Sequence, residues 1–170
     1  MEEALTHSSA RKSRKANNER LEFLGDRVLG LIIAEELLRL NPTSTEGQIA
    51  TYYNYLVKKE TCALIAKEIG LENLLTLGKS VKRTSNRQKD KILGNAVEAL
   101  IAAIFLDSGF KTSKEIVLRV WRKQIDIVRD IEAHAKTALQ ELLQSEGQEP
   151  PTYRQISRTG PDHDPDFCVE

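Results

Sequence analysis

The sequence predicts an all-α domain over residues 1–131, followed by a short α+β segment over residues 132–170 made of one helix and two strands. Three observations carry that architecture. Apolar residues recur at helical spacing in block after block up to about residue 130, with no long alternating pattern among them. Helix-stop signals separate the blocks, at Asn41-Pro42, Gly70, Gly78 and Asp107-Ser108-Gly109. After Pro150-Pro151 the pattern turns to alternation in Tyr153-Arg154-Gln155-Ile156-Ser157. The turn signal Gly160-Pro161-Asp162 then leads to a second strand starting at Phe167-Cys168-Val169-Glu170.

Taken in order, residues 1–18 hold a short apolar start at Ala4-Leu5 and a basic stretch, Arg11, Lys12, Arg14 and Lys15. A first helix is expected from Asn18 to Leu40. At ~100° per residue, Leu21, Leu24, Val28, Leu31 and Ile32 fall on one side and form its expected core face. Thr45 reads as the N-cap of a second helix reaching Val57, with Gln48 closing a capping box. A third helix runs from about Glu60 to Ile69, followed by the short apolar piece Leu71–Leu77. Much of Lys79–Lys89 is polar and basic and reads as a solvated loop. Asp90–Leu106 is a strongly apolar helix. Thr112–Ile131 is amphipathic, with Val117 and Trp121 inward, and Lys136–Ser145 is a further helix carrying Ala138, Leu139, Leu142 and Leu143. A helix and two strands that end abruptly cannot bury their own faces, so the tail reads as an incomplete domain.

Of 170 residues, 40% are hydrophobic and 29% charged, which is enough apolar material for a core and excludes global disorder. Lys+Arg and Asp+Glu both number 25, so a polybasic binder is excluded while a local basic patch is not. The cysteines, Cys62 and Cys168, form no CxxC, so neither a disulfide scaffold nor a zinc knuckle is expected. Cys62, beside Ala63, Leu64 and Ile65, reads as a buried free thiol. The start Met1-Glu2-Glu3-Ala4-Leu5 lacks the order of an export signal, and no run of about 20 apolar residues is present. A cytoplasmic protein without a membrane segment is expected.

The informative stretch is Asn18-Glu19-Arg20-Leu21-Glu22-Phe23-Leu24-Gly25-Asp26. On a helix, Glu19, Glu22 and Asp26 share one face, opposite the expected apolar set. Such a face is ordinarily just solvated. Phe23, however, falls beside the acids and away from the core, which points to an interface. A second block, Gly94-Asn95-Ala96-Val97-Glu98-Ala99-Leu100, places Asn95 and Glu98 one turn apart, off a core stripe of Leu93, Val97, Leu100, Ile101 and Ile104. The small residues Ala99, Ala102 and Ala103 would let another helix come close. Carboxylate and amide oxygens from two helices then make a hard-cation site suited to Mg²⁺. A carboxylate-bridged di-iron bundle needs Glu-x-x-His pairs, which His7, His134 and His163 do not supply.

With these residues in view, the sequence resembles the ribonuclease III family of double-stranded-RNA endonucleases. Asn18–Leu29 (NERLEFLGDRVL) is similar to its signature motif. Ala4-Leu5-Thr6-His7-Ser8, Glu46-Gly47 and Asn95-Ala96-Val97-Glu98-Ala99-Leu100-Ile101 match in the family's order, over about residues 3–131. From Lys136 the tail resembles the start of the family's double-stranded-RNA-binding domain, in Thr137, Leu139-Gln140-Glu141 and Pro151-Thr152-Tyr153, without its third strand and basic final helix. The resemblance implies Mg²⁺, with Mn²⁺ as a substitute, and a homodimer. It implies cleavage of duplex RNA to 5′-phosphate and 3′-hydroxyl ends in rRNA and mRNA precursor processing. Glu22, Asp26 and Glu98 are then metal ligands, with Asp26 and Glu98 catalytic and Asn95 in the fourth position. Glu19 and Glu46 match acidic positions linked to RNA binding or to placing the site across the dimer. Phe23 matches an aromatic that enters a pocket on the partner. Gln140, Glu141 and His163 match residues that touch RNA minor grooves, reading A-form shape. The family most often has Asp at the position of Asn95. An amide oxygen still ligates Mg²⁺ but carries no charge and cannot serve as a base. A non-catalytic double-stranded-RNA binder or ribosome-associated relative is the alternative, with Asn95 in its favour and the three retained acids against it.

Overall fold

The computed structural model describes residues 2–10, 17–78, 81, 85–145, 155–159 and 166–169, with side chains through residue 130 and at Ile156 and Ser157. The chain divides into two compact units, Met1–Gln124 and Ile125–Glu170. The first is helical, as the periodicity predicts.

Helix α1 (Glu19–Leu40) forms the long spine. Its buried residues are Gly25, Val28, Leu29, Gly30, Ile32, Ile33, Glu36 and Leu37. This corrects the expected core face, because Leu31 is 60% exposed. The buried stripe lies roughly 80° round the helix from the expected one, at ~100° per residue. Glu22 and Asp26 therefore flank the core instead of opposing it. Helix α2 (Glu46–Val57) starts at the capping box the sequence signals, with Gln48 N–H donating to Thr45 Oγ1 at 3.4 Å and Thr45 N–H to Gln48 Oε1 at 2.9 Å. An extended Lys58 turns the chain at once into α3 (Lys59–Glu68), which buries Thr61, Cys62, Ala63, Ile65 and Ala66.

Helix α4 (Asn86–Ser145) is interrupted at Gly109, whose φ of 77° lies in the region glycine favours. The break falls where Asp107-Ser108-Gly109 predicts a stop. The first arm begins at Asn86, inside the stretch expected as a loop: Arg87, Gln88 and Lys89 are good helix formers that need no apolar face. The helical backbone also runs unbroken from residue 112 to Ser145, so the two separate helices expected there are one. Glu132-Ala133-His134-Ala135 contains no breaker. By length and composition alone α4 as far as Asp130 could cross a membrane. Half of its most apolar window, however, is buried inside the protein, as in a core helix.

Trp121 closes the core, buried and donating its indole N–H to the Leu56 carbonyl at 2.9 Å. Cys62 is a buried free thiol, as expected. The N-terminal segment is tied across the fold rather than packed as helix. Thr6 forms an isolated parallel bridge with Thr76, and Asn18 N–H donates to the Thr6 carbonyl at 3.0 Å. In the second unit, strands β1 (Gln155–Thr159) and β2 (Asp166–Val169) pair antiparallel, with an irregularity between Gln155 and Ser157. Gln140 and Glu141 lie on the α4 backbone, but their side chains, and all of His163, fall outside the described residues.

Candidate functional site

Two glycines decide where the charged residues meet. A Cβ on Gly25 of α1 would stand 1.7 Å from the Glu98 carbonyl oxygen on α4. Only a hydrogen fits there, so α1 and α4 touch backbone to backbone at that level. A Cβ on Gly94 would stand 3.0 Å from the Lys59 carbonyl oxygen, which lets the start of α3 close on the same turn of α4. Glu22 and Asp26 lie on either side of Gly25, and Glu98 one turn beyond Gly94. The three helices therefore bring Glu22, Asp26, Lys59 and Glu98 to one place, with Asn95 one turn before Glu98 on α4.

Glu98 is fully buried, which corrects its expected position off the core. Ile92, Gly94, Ala96 and Ala99 are buried too, so this arm of α4 is enclosed on more sides than one stripe allows. Lys59 Nζ donates to Glu98 Oε2 at 2.5 Å and to Glu22 Oε1 at 3.3 Å. The other Glu98 oxygen, Oε1, and Asn95 Oδ1 are buried and have no hydrogen-bond partner. A buried acceptor left unpaired costs about 1–3 kcal/mol, and here two such acceptors stand one helical turn apart. Burial pushes the Glu98 carboxyl up to about 7 against the opposing pull of Lys59, with the charges of Asp26 and Glu22 adding to the rise. For Lys59, burial pulls its ammonium down, but the Glu98 bond and the Glu98 and Glu22 charges outweigh it and the net shift is upward.

The donor chemistry fits a hard divalent cation: α4 carries two unpaired buried oxygens one turn apart, and the charges of two α1 carboxylates reach Glu98. In the described structure Lys59 draws two of these carboxylates, Glu22 and Glu98, together. Among the described residues no group of three His, Cys, Asp or Glu side chains is already set to hold a metal ion.

The remaining candidates divide. Asp26 pairs with Arg27, whose guanidinium also lies 4.3 Å from the centre of the Phe23 ring. Although Arg27 follows Asp26 directly, its long side chain folds back to reach both neighbours. Phe23 is 65% exposed, as its angular position predicts. With Leu21, Leu24 and Leu106 it lines a surface cavity of about 670 Å³ that also touches Glu3 and Glu19. Glu19 is held at 3.3 Å by the Asn17 amide. Glu46 stands exposed in the first turn of α2, and no hydrogen bond or ion pair joins it to Glu22, Asp26 or Glu98 among the described residues. His7 accepts from Ser9 N–H at 3.2 Å and pairs with Ser9 Oγ at 2.8 Å, capping the 3-10 turn Ser8–Ala10 as a packing role requires. Lys59 has no counterpart in the sequence reading. Its one signal is a lysine doublet at a helix junction, which ordinarily marks a solvated surface.

A family model described as Ribonuclease-III-like matches residues 1–125. Ribonuclease 3 of Cereibacter sphaeroides (strain ATCC 17025 / ATH 2.4.3) is 50% identical over 167 residues, covering 98% of this chain and 73% of that protein. Ribonuclease 3 of Dinoroseobacter shibae is 51% identical over 166 residues, covering 98% and 72%. Among solved structures, a nuclease domain of ribonuclease III from Campylobacter jejuni, studied for flexibility in its dimer-forming region, superposes with a TM-score of 0.65. It shares 36% identity and covers 73% of this chain and 85% of that one. Dicer from Pichia stipitis, at 23% identity and a TM-score of 0.58, shares the fold.

Proposed function

The chain belongs to the ribonuclease III family and is an endoribonuclease; on that premise we propose that it cleaves double-stranded RNA at the acidic cluster, with Glu22, Asp26, Asn95 and Glu98 holding Mg²⁺ or Mn²⁺. The observation that carries the metal assignment is the pair of buried, unpartnered oxygens, Asn95 Oδ1 and Glu98 Oε1, beside two further carboxylates. A divalent cation held there would supply Lewis acidity for attack of water on phosphorus and would stabilise the departing oxygen. The protein's own contribution is position. Gly25 fixes the height of Glu22 and Asp26 against Glu98, and burial of Glu98 keeps water from screening the charges. Asn95 gives an oxygen without charge, so the cluster carries one negative charge fewer than an all-acid set. The products are a 5′-phosphate and a 3′-hydroxyl.

The working form is a homodimer. Phe23, Leu31 and Leu38 on α1 and Leu106 on α4 are large apolar side chains left exposed. A second copy covers them and sets one acidic cluster toward each RNA strand. A reducing cytoplasm suits a chain whose buried Cys62 is a free thiol.

The test is cleavage of a duplex RNA in Mg²⁺. Glu98→Gln is expected to lower the rate by roughly a hundredfold or more, with duplex binding retained. An unchanged rate removes Glu98 from the site. Asn95→Asp adds a ligand charge and is expected to raise Mg²⁺ affinity. Duplex binding by the parent chain without cleavage in either Mg²⁺ or Mn²⁺ would favour the non-catalytic reading.

A further inference from the structure

Lys59 differs from the other lysines in described ion pairs. Lys67, Lys114 and Lys123 each meet one carboxylate, Asp90, Glu35 and Glu68 respectively. Lys59 bridges two carboxylates from different helices, and one of them, Glu98, has a side chain only 1% exposed. Bringing carboxylates together without a counter-ion is unfavourable, and a buried one left unpaired costs several kcal/mol. The Lys59 ammonium answers that need only in part. It bonds Glu98 Oε2 and Glu22 Oε1, and it leaves Glu98 Oε1 and Asn95 Oδ1 unpaired. An ammonium has three donors, whereas Mg²⁺ gathers about six oxygens.

We propose that Lys59 is the resident counter-ion of the unloaded acidic site, holding Glu22 and Glu98 together by standing where a divalent cation binds, and that it must release them for the cation to enter. The inference rests on the metal reading given above and adds a residue to it. Lys59 has room to leave. Its side chain is 39% exposed and also borders a cavity of about 640 Å³ lined by Glu60, Ser85, Arg87, Gln88, Asp90 and Lys91. The released ammonium swings toward that space on its four-carbon stem and remains beside the loaded site. Lys59 is thus a positioning residue that trades places with the metal.

The test is Mn²⁺ and Mg²⁺ titration by calorimetry, with melting curves in EDTA and in excess metal, on the full chain and on Lys59→Met. Loss of the competing charge is expected to tighten metal binding about tenfold. The same change is expected to lower the EDTA melting temperature by about 5 °C and to widen the rise on adding metal. A purely structural lysine predicts the opposite for affinity, because the carboxylates would splay without it. Lys59→Gln, which keeps an N–H donor but no charge, carries the same test if Lys59→Met does not fold. Unchanged or weaker metal binding in the neutral variants, while the parent binds and Glu98→Gln does not, overturns the role of Lys59 and leaves the metal site standing. Absence of metal binding in both the parent and the neutral variants overturns both.

Discussion

Along α1, the face carrying Gly25, Leu29, Ile32 and Glu36 is closed inside the protein, whereas Phe23, Leu31 and Leu38 stand open to solvent. Both faces are rich in apolar side chains, yet the physics differs. The inner face is complete: Gly25 meets the Glu98 backbone, and the fit tolerates no added carbon. The outer face is incomplete, since three large apolar side chains on one helix stand in water, and on the homodimer proposed above a partner surface would cover them. Fixed packing positions the acids, and unfinished packing is what the proposed dimer would complete. Substitutions on the two faces should therefore fail in different ways.

The inner face is the more sensitive. Gly25→Ala puts its methyl 1.7 Å from the Glu98 carbonyl oxygen, and the obstacle is backbone, which cannot rotate away. The helices must separate, at a cost of about 3 kcal/mol or more, which for a chain of this size lowers the melting temperature by roughly 10 °C. Metal-dependent cleavage should fall with it. A melting temperature within a degree of the parent would show that the helix contact is looser than described. The outer face should respond in association alone. Phe23→Ala is expected to weaken the dimer by about 2 kcal/mol, roughly thirtyfold in Kd, as for an aromatic anchor. Folding of the monomer should be unaffected, because the ring is already 65% exposed there. Sedimentation equilibrium separates the two effects, and an unchanged dimer affinity removes Phe23 from the interface.

The same contrast explains what could be read from the sequence. Glu22, Asp26, Asn95 and Glu98 were legible because helical spacing alone puts each pair on one face. The exposure of Phe23 was legible because its angular position sets it among the acids. The core stripe of α1 was misplaced because Leu24, Leu31 and Leu38 count as apolar whichever partner covers them. Periodicity cannot tell burial inside a chain from burial against a second one. Gly25 and Gly94 carried no sequence signal of their own, since the depth of a helix crossing depends on what stands opposite. Lys59 was hidden for a related reason: a lysine reads as surface until two carboxylates converge on it. The start of α4 escaped because Arg87, Gln88 and Lys89 are helical by propensity and offer no stripe to count.

The smallest expected effect lies at the far end of the closed face. Glu36 is buried at the edge of the core and is bonded twice by Arg39, at 2.6 and 2.9 Å. The Arg39 hydrogen bonds hold its carboxyl below the ordinary value of 4.5 against the upward push of burial, and the charges of Arg39 and Lys114 add to the lowering. Lys114 itself is bonded to Glu35 at 2.7 Å, so part of its charge is already answered. A depressed carboxyl binds fewer protons in the folded state than in the unfolded state, so stability rises with pH through that range. The contribution is fully present above pH 4.5 and is lost as pH falls through the lower folded value. Arg39 is largely exposed and solvent screens the pair, so the melting temperature of the parent over Glu36→Gln should be higher by only about 1 °C at neutral pH. That difference should hold flat from pH 5 to 8 and close below about pH 4. A difference that instead grows toward acid would mean that Glu36 is stabilised in its protonated form, as a core carboxylic acid rather than the partner of Arg39.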